Sequence, residues 1–323
     1  MNSMKENLRI LTYEIPESFR GATVEAFLRS KGYSHHVIYH LRSTEFEGRP
    51  GLLLNGEKTY TRKILEPGDR LQISLLETED SANVVETNIP LDIVYEDEDL
   101  MVINKPAGLP IHPSMGHYET TLGNAICYYT HHTLGYPHYV NRIINRLDRD
   151  TSGLLIAAKN MLSAAILGDM VKRREIHREY RAIVAGDFRE ISGERPGLYR
   201  SADRTHLTVN APIGRKGESV VERGIDYENG EYAVTHAEFL RYDAEKDLSL
   251  LRLKLETGRT HQIRVHMQYA GCPLIGDFLY YPDYRYMKRQ ALHSAELCFL
   301  HPITGRKMVV KADLPEDMSK TIS

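Results

Sequence analysis

Arg146, Asp148, Arg149 and Asp150 crowd into five consecutive positions of a 323-residue chain, and Thr151-Ser152-Gly153 and the apolar run Leu154 to Ala158 follow. The run reads as a buried strand, with Ser152-Gly153 as the turn that enters it. Charges crowded at the end of a buried strand are costly unless they pair or do chemistry. An ionised carboxylate here can attack an electrophilic carbon or stabilise a developing cation. A salt-bridged surface turn fits the same residues. These residues alone do not choose between Asp148 and Asp150. A second charged stretch runs from Glu256 to His266. Gly258 is expected to end a strand and Thr260 to cap a helix running to Tyr269. His261, Arg264 and Gln268 then share one stripe of that helix, while Ile263 and Met267 pack inward.

Other elements must hold these stretches. After a lead-in with strand character, periodicity predicts helices over 22–30 and 35–42, the second capped by Ser34. Leu52-Leu53-Leu54 followed by Asn55-Gly56 predicts a hairpin, and Arg70 to Leu75 alternates as a strand. Residues 77–90 are polar, acidic and end at Pro90, as a linker would. Strands are expected over 91–95, 100–105, 178–186, 235–242 and 248–255, and helices over 120–131 and 161–174. The basic end of the 161–174 helix, Lys172-Arg173-Arg174, suits a helix C-terminus and can also hold phosphates. Residues 187–230 are rich in Gly, Pro and charge, and 211–215 reads as an exposed loop. The prolines between Lys105 and Pro113 make a rigid loop able to line a pocket.

Three separate segments carry a resemblance. Arg146-Leu147-Asp148-x-x-Thr151-Ser152-Gly153 resembles the active-site motif of the RluA-type pseudouridine synthases, with Asn145 where the family has His. Arg178-x-Tyr180-x-Ala182-x-Val184-x-Gly186 resembles the second motif, with Arg178 for Lys. Thr257-Gly258-Arg259-Thr260-His261-Gln262-Ile263-Arg264-Val265-His266 resembles the third. Asn104-Lys105-Pro106, Gly108, His112-Pro113 and Ile275-Gly276-Asp277-x-x-Tyr280 resemble further family segments. The resemblance spans about residues 91–312, and the order of elements in residues 13–76 resembles the small RNA-binding domain named after ribosomal protein S-four.

The resemblance implies an α+β chain: an S-four-like domain (13–76), an acidic linker (77–90) and a mixed, largely antiparallel catalytic domain (91–312). It points to Asp148 as catalyst, with Arg264 as its ion-pair partner and Tyr180 stacked on the target base. A base inside folded RNA must be extruded, and Arg146 is the expected wedge, with Ile263 as an apolar floor. Arg149, Arg259, His261, Lys105 and His112 are further expected RNA contacts, and His35, His36 and Arg42 form the expected RNA face of the first domain. The implied reaction has no redox step, and neither a Walker loop nor a dinucleotide loop is present, so no cofactor is expected.

Charge and composition fit an RNA partner once segregation is considered. Net charge is −3, but residues 77–99 carry nine acids and no Lys or Arg. Without them 35 acids face 41 bases, a net of +6. Residues 1–76 are balanced more evenly, with eleven bases and nine acids. The linker acids should face away from RNA. Three distant cysteines give neither a disulfide framework nor a metal knuckle, and the pairs His35-His36, His131-His132 and His112/His117 lack a closed ligand set, so no metal is expected. The scattered cysteines point to a reducing cytoplasm, no apolar leader or membrane span is expected, and a monomer is expected. Large-subunit ribosomal RNA is the favoured substrate, with transfer RNA as the alternative. A non-catalytic RNA-binding or ribosome-assembly protein and an RNA glycosidase are the rival readings.

Overall fold

The computed structural model describes residues 7–322 apart from 83, 114, 115, 117, 218 and 220. The first six residues of the expected leader-free start, and His117, lie outside the described residues.

Near the N-terminus four short strands form an antiparallel sheet in the order Leu8–Glu14, Arg70–Leu76, Leu52–Leu54, Glu57–Lys58. Asn55 and Gly56, at φ 53 and 88, turn the expected hairpin. Helices Val24–Ser30 and His35–Ser43 start at Thr23 and Ser34, whose hydroxyls accept from Ala26 N and Val37 N. Their apolar stripes, including Phe27, Leu28, Val37 and Leu41, bury against Leu71, Ile73 and Leu75. Met161 and Leu162 belong to the same core. The helix that carries them, Met161–Lys172, therefore seats the small sheet on the rest of the chain.

The remainder is built on one large sheet. Its path is Leu198–Arg200, His206–Asn210, Val234–Asp243, Leu248–Leu255, His177–Ala185, Leu292–Leu300, Ser152–Ala158, Leu100–Lys105, Ile93–Glu96. Lys307–Lys311 pairs beside Leu292–Leu300 and Arg142–Ile143 beside Ser152–Ala158. All its pairings are antiparallel except Ser152–Ala158 with Leu292–Leu300. The sheet is thus mixed and largely antiparallel, as expected. No helix among the described residues is long and apolar enough to cross a membrane.

Three local expectations are corrected. Ser152 and Gly153 are not a turn; they pair with His293 and Ser294 inside the strand. Gly153 sits at φ +109, and a Cβ there would lie 2.3 Å from Ser294 O, so only glycine fits between these strands. Residues 211–215 are not an exposed loop: Ala211 and Ile213 are buried, and Ile213–Arg215 pairs with Arg223–Ile225. Short strands with few residues per turn leave too little periodicity to read. Finally, the helix Gln262–Ala270 is not capped by Thr260; it begins after His261, a left-handed residue at φ 57 with no side-chain cap.

The acidic stretch is fastened to residues between 131 and 161 rather than free. Glu77 is buried, accepting from Met161 N and Arg142 Nη2. Asp80 pairs with His138 and accepts from Tyr139 N. Glu86 is bonded by both His131 and His132.

Candidate active site

The segment 145–151 is held from several sides. Asn145, at the position where the resemblance has His, is buried; its Oδ1 accepts from Ile156 N at 2.9 Å. The substitution is therefore filled by a residue that ties the loop to the strand after it. Thr151 N donates to Asp148 O at 3.1 Å, closing the turn that carries the carboxylate. Gly108 N and Lys105 Nζ both donate to Arg149 O, and Arg289 Nη1 donates to Asp150 O. Downstream, Ser152 Oγ bonds His293 Nδ1 at 2.9 Å and Ser294 Oγ donates to Leu154 O.

Asp148 lines a cleft that it shares with Tyr180, His261, Ile263 and Arg264. Its Oδ2 accepts from Arg264 Nη1 at 3.0 Å, and the side chain remains 27% exposed. Arg264 is 2% exposed and is itself clamped: Nε and Nη2 donate to Asp277 at 2.6 and 2.8 Å. Phe278 and Tyr280 flank its guanidinium at 5.4 and 5.0 Å from their ring centroids. Burial acts to lower the Arg264 pKa, but the Asp277 bonds and the Asp148 charge outweigh it, and the value is raised. The result is a cation that does not release its proton, sandwiched between a closed carboxylate and an open one. His261 Nδ1 bonds Tyr280 Oη, and Nε2 lies 3.9 Å from Asp148 Oδ2. Burial lowers the His261 pKa despite Asp148 opposing it. Tyr180 is buried at the same cleft, and its phenol is pushed up by burial, with Arg178 pulling the other way.

Seven expected residues therefore converge: Asp148, Tyr180, Arg264, Arg146, Ile263, Arg259 and His261 all line this cleft. Arg149 is exposed and paired with Asp150, and His112 is exposed beside Arg146, whose charge joins partial burial in lowering its pKa. His35, His36 and Arg42 are exposed on the second N-terminal helix. Lys105 requires a correction. It is fully buried and donates to the carbonyls of Pro106, Leu109 and Arg149, so it braces the loop and is not a surface contact for RNA. Burial pulls its pKa down to about 7, with Asp150 opposing. The site also contains residues to which sequence reading assigned no role: Asp277, Tyr280 and Arg178. The signal for the first two was the Gly-Asp-x-x-Tyr spacing after the helix.

Asp97, Asp99 and His301 bring three potential ligand atoms within 4.8 Å of one another. Asp99 is already held by Arg9 and Asn160, and Asp97 by Tyr95 and His301, so this cluster is an ion-pair joint.

Comparison with known proteins agrees with this geometry. Residues 99–269 match the model of the RNA pseudouridylate synthase family. An uncharacterized RNA pseudouridine synthase, YjbO of Bacillus subtilis (strain 168), is 38% identical over 300 residues, 93% of this chain and 98% of its own length. The ribosomal large subunit pseudouridine synthase D of Xanthomonas campestris pv. campestris is 35% identical over 324 residues, 96% of this chain and 90% of its own. Among solved structures, human RNA pseudouridylate synthase domain containing 1 superimposes with a TM-score of 0.57 at 25% identity, covering 73% of this chain and 89% of that one. A chain with these motifs, this sheet and these relatives belongs to the RNA pseudouridylate synthase family in its RluA type: it is an RNA pseudouridine synthase, an isomerase.

Proposed function

We propose that this enzyme converts uridines in structured large-subunit ribosomal RNA to pseudouridine, with the Asp148 carboxylate as its catalyst. One observation carries the reading: Asp148 presents one oxygen to a doubly held Arg264 while no described residue bonds the other, which is open to the cleft. The reaction breaks the bond from the anomeric carbon to N1 and forms one to C5. The C5 hydrogen leaves as a proton, N1 gains one, and nothing else is released. Addition to C6, capture of the anomeric carbon and stabilisation of a transient cation all need an anion with a free oxygen. Arg264 donates to the other oxygen and so fixes the direction in which the free one faces.

Extrusion of the target base costs a few kcal/mol of unstacking and unpairing. Arg146 is exposed at the mouth of the cleft and carries no ion pair among the described residues, which supports its role as the wedge. Tyr180 and Ile263 then form the walls against which the uracil packs. In this reading residues 13–76 are an S-four-like RNA-binding domain that presents His35, His36 and Arg42, residues 77–90 connect it, and residues 91–312 are the catalytic domain of a cytoplasmic monomer. The name of the Xanthomonas relative supports the ribosomal target over transfer RNA.

Carbodiimide mapping of pseudouridine in total RNA tests this. Cells lacking the gene should lose one or more sites in large-subunit RNA, restored by the wild type and not by Asp148→Asn. Loss of no site, or rescue by Asp148→Asn, would sink the reading; release of free uracil would indicate a glycosidase.

A further inference from the structure

A basic trough leads away from the catalytic cleft to the N-terminal unit. The cleft is continuous with a second hollow, because Arg146, Arg178, Gly258 and Arg259 line both. That hollow runs beside the end of helix Met161–Lys172, past Lys172 and Arg174. Lys172 also lines a third hollow, formed between this helix and the segment Arg29 to Ser34 of the small unit. Along the two outer hollows eight lysines and arginines face two acids, Asp169 and Glu256. Asp169 lies 3.4 Å from Arg173 in an exposed pair, while Glu256 lies 3.9 Å from Arg174 and is held at 2.8 Å by His236 Nε2.

The turn at the middle of the trough is built around a cation. Arg174 N donates to Val171 O and Glu175 N to Met170 O, which closes the helix with Arg174 as the left-handed residue at φ 61. Glycine fits this position without strain, so an arginine there holds a conformation its Cβ disfavours. Its side chain stands exposed over Tyr232, 5.7 Å from the ring centroid. The neighbouring Lys172 is exposed with no ion pair among the described residues.

We infer that this trough, from Arg146 through Lys172 and Arg174 to Arg29 and Lys31, is the track for the phosphodiester backbone of the RNA that flanks the target uridine. It rests on the proposed function and extends it. The two structural units then grip one RNA together, and the seam between them is a binding element. Spaced cations over grooves follow a backbone without reading sequence, so the track supplies affinity and register while the cleft selects the uridine.

Fluorescence anisotropy with a labelled stem-loop transcript of large-subunit ribosomal RNA tests the track in the full chain. Lys172→Gln/Arg174→Gln and Arg29→Gln/Lys31→Gln should each weaken binding roughly tenfold near physiological salt. The slope of log affinity against log salt should shrink by about one for each cation removed. Lys288→Gln, an exposed lysine that lines none of the three hollows, should match the wild type. Lys172→Arg should restore binding, which separates charge from fold. Wild-type affinity and salt slope in both double variants, or a loss that persists in Lys172→Arg, would overturn the track. Pseudouridine formation by the wild type, measured in the same samples, reports separately on the proposed function.

Discussion

The weight of the site falls on Asp277, and Asp277→Asn tests it most sharply. The carboxylate is 1% exposed, and its two oxygens have different duties. Oδ1 accepts from Arg264 Nη2 and from the backbone N–H groups of Leu279 and Tyr280 at 3.0 and 3.1 Å. Oδ2 accepts from Arg264 Nε at 2.6 Å. An asparagine that keeps its carbonyl in the Oδ1 place must turn its amide toward Nε–H, donor against donor. The shortest bond is lost and a buried guanidinium loses half of its counter-charge. Removing one partner of such a buried pair costs about 3–5 kcal/mol of folding stability. The functional loss is separate. Arg264 then keeps only its Nη2 bond at this end and can swing with Asp148, and a displacement on the order of 1 Å at a reacting group costs roughly 10²-fold in rate. Single-turnover conversion of a labelled RNA with excess enzyme should fall by about that factor at a temperature where urea unfolding shows the variant still folded. RNA affinity should change little. A stability loss with wild-type turnover would refute the argument, since Asp277 would then brace the fold without directing Asp148.

The other expectations are simpler. Arg264→Ala should reduce turnover more than RNA binding, and equal losses in both would count against its role as partner of Asp148. Arg146→Ala should harm conversion of a folded stem-loop more than that of a relaxed single strand; parallel losses would remove the wedge. Asn145→Ala should cost about 1–3 kcal/mol in urea unfolding, because Ile156 N loses its buried acceptor; an unchanged midpoint would show that water replaces it. Acid should destabilise the fold through His266 and His293, each pulled by burial from 6.5 down to about 4. A lowered histidine pKa means that the unfolded chain takes up a proton below pH 6.5 and the folded chain does not. Between pH 7 and 5 each ring should therefore cost about 2 kcal/mol, with the effect saturating below about pH 4. An unfolding free energy that stays flat between pH 7 and 5 would contradict this.

That Asp148, Arg264 and Tyr180 meet in one cleft was legible through the resemblance of three motifs, whereas the residue types alone left Asp148 and Asp150 open and read Tyr180 as strand packing. Boundaries of the larger strands and helices were also close, since Leu100–Lys105 opens on four apolar residues and Leu248–Leu255 alternates apolar with polar along much of its length. What escaped reading was set by contacts distant in sequence. Lys105 reads as a free cation, but three carbonyls converge on its ammonium, one of them 44 positions away. Asp277 lies 13 positions from Arg264 across a turn, where no helical or strand period links them. The left-handed His261 starts its helix without a cap, a conformation stabilised by tertiary contacts such as its bond to Tyr280 and not by local propensity.

The charge distribution acquires a physical account from these contacts. A net charge of −3 is awkward for an enzyme that must hold a polyanion. Four of the nine acids between 77 and 99 are paired with fixed cations, Glu77 with Arg142, Glu96 with Lys159, and Glu98 and Asp99 with Arg9, while Asp80, Glu86 and Asp97 hydrogen-bond histidines. Fixed pairs at short range project little field beyond a Debye length of about 8 Å at physiological salt. None of these acids lines the cleft or the trough. The cations that remain uncommitted, Arg146 and Lys172 among them, stand on the path an RNA strand would take. Local excess rather than net charge sets the attraction, so high salt should weaken RNA binding steeply in spite of the acidic overall balance. A nearly salt-independent affinity would mean that stacking in the cleft, and not the trough, holds the substrate.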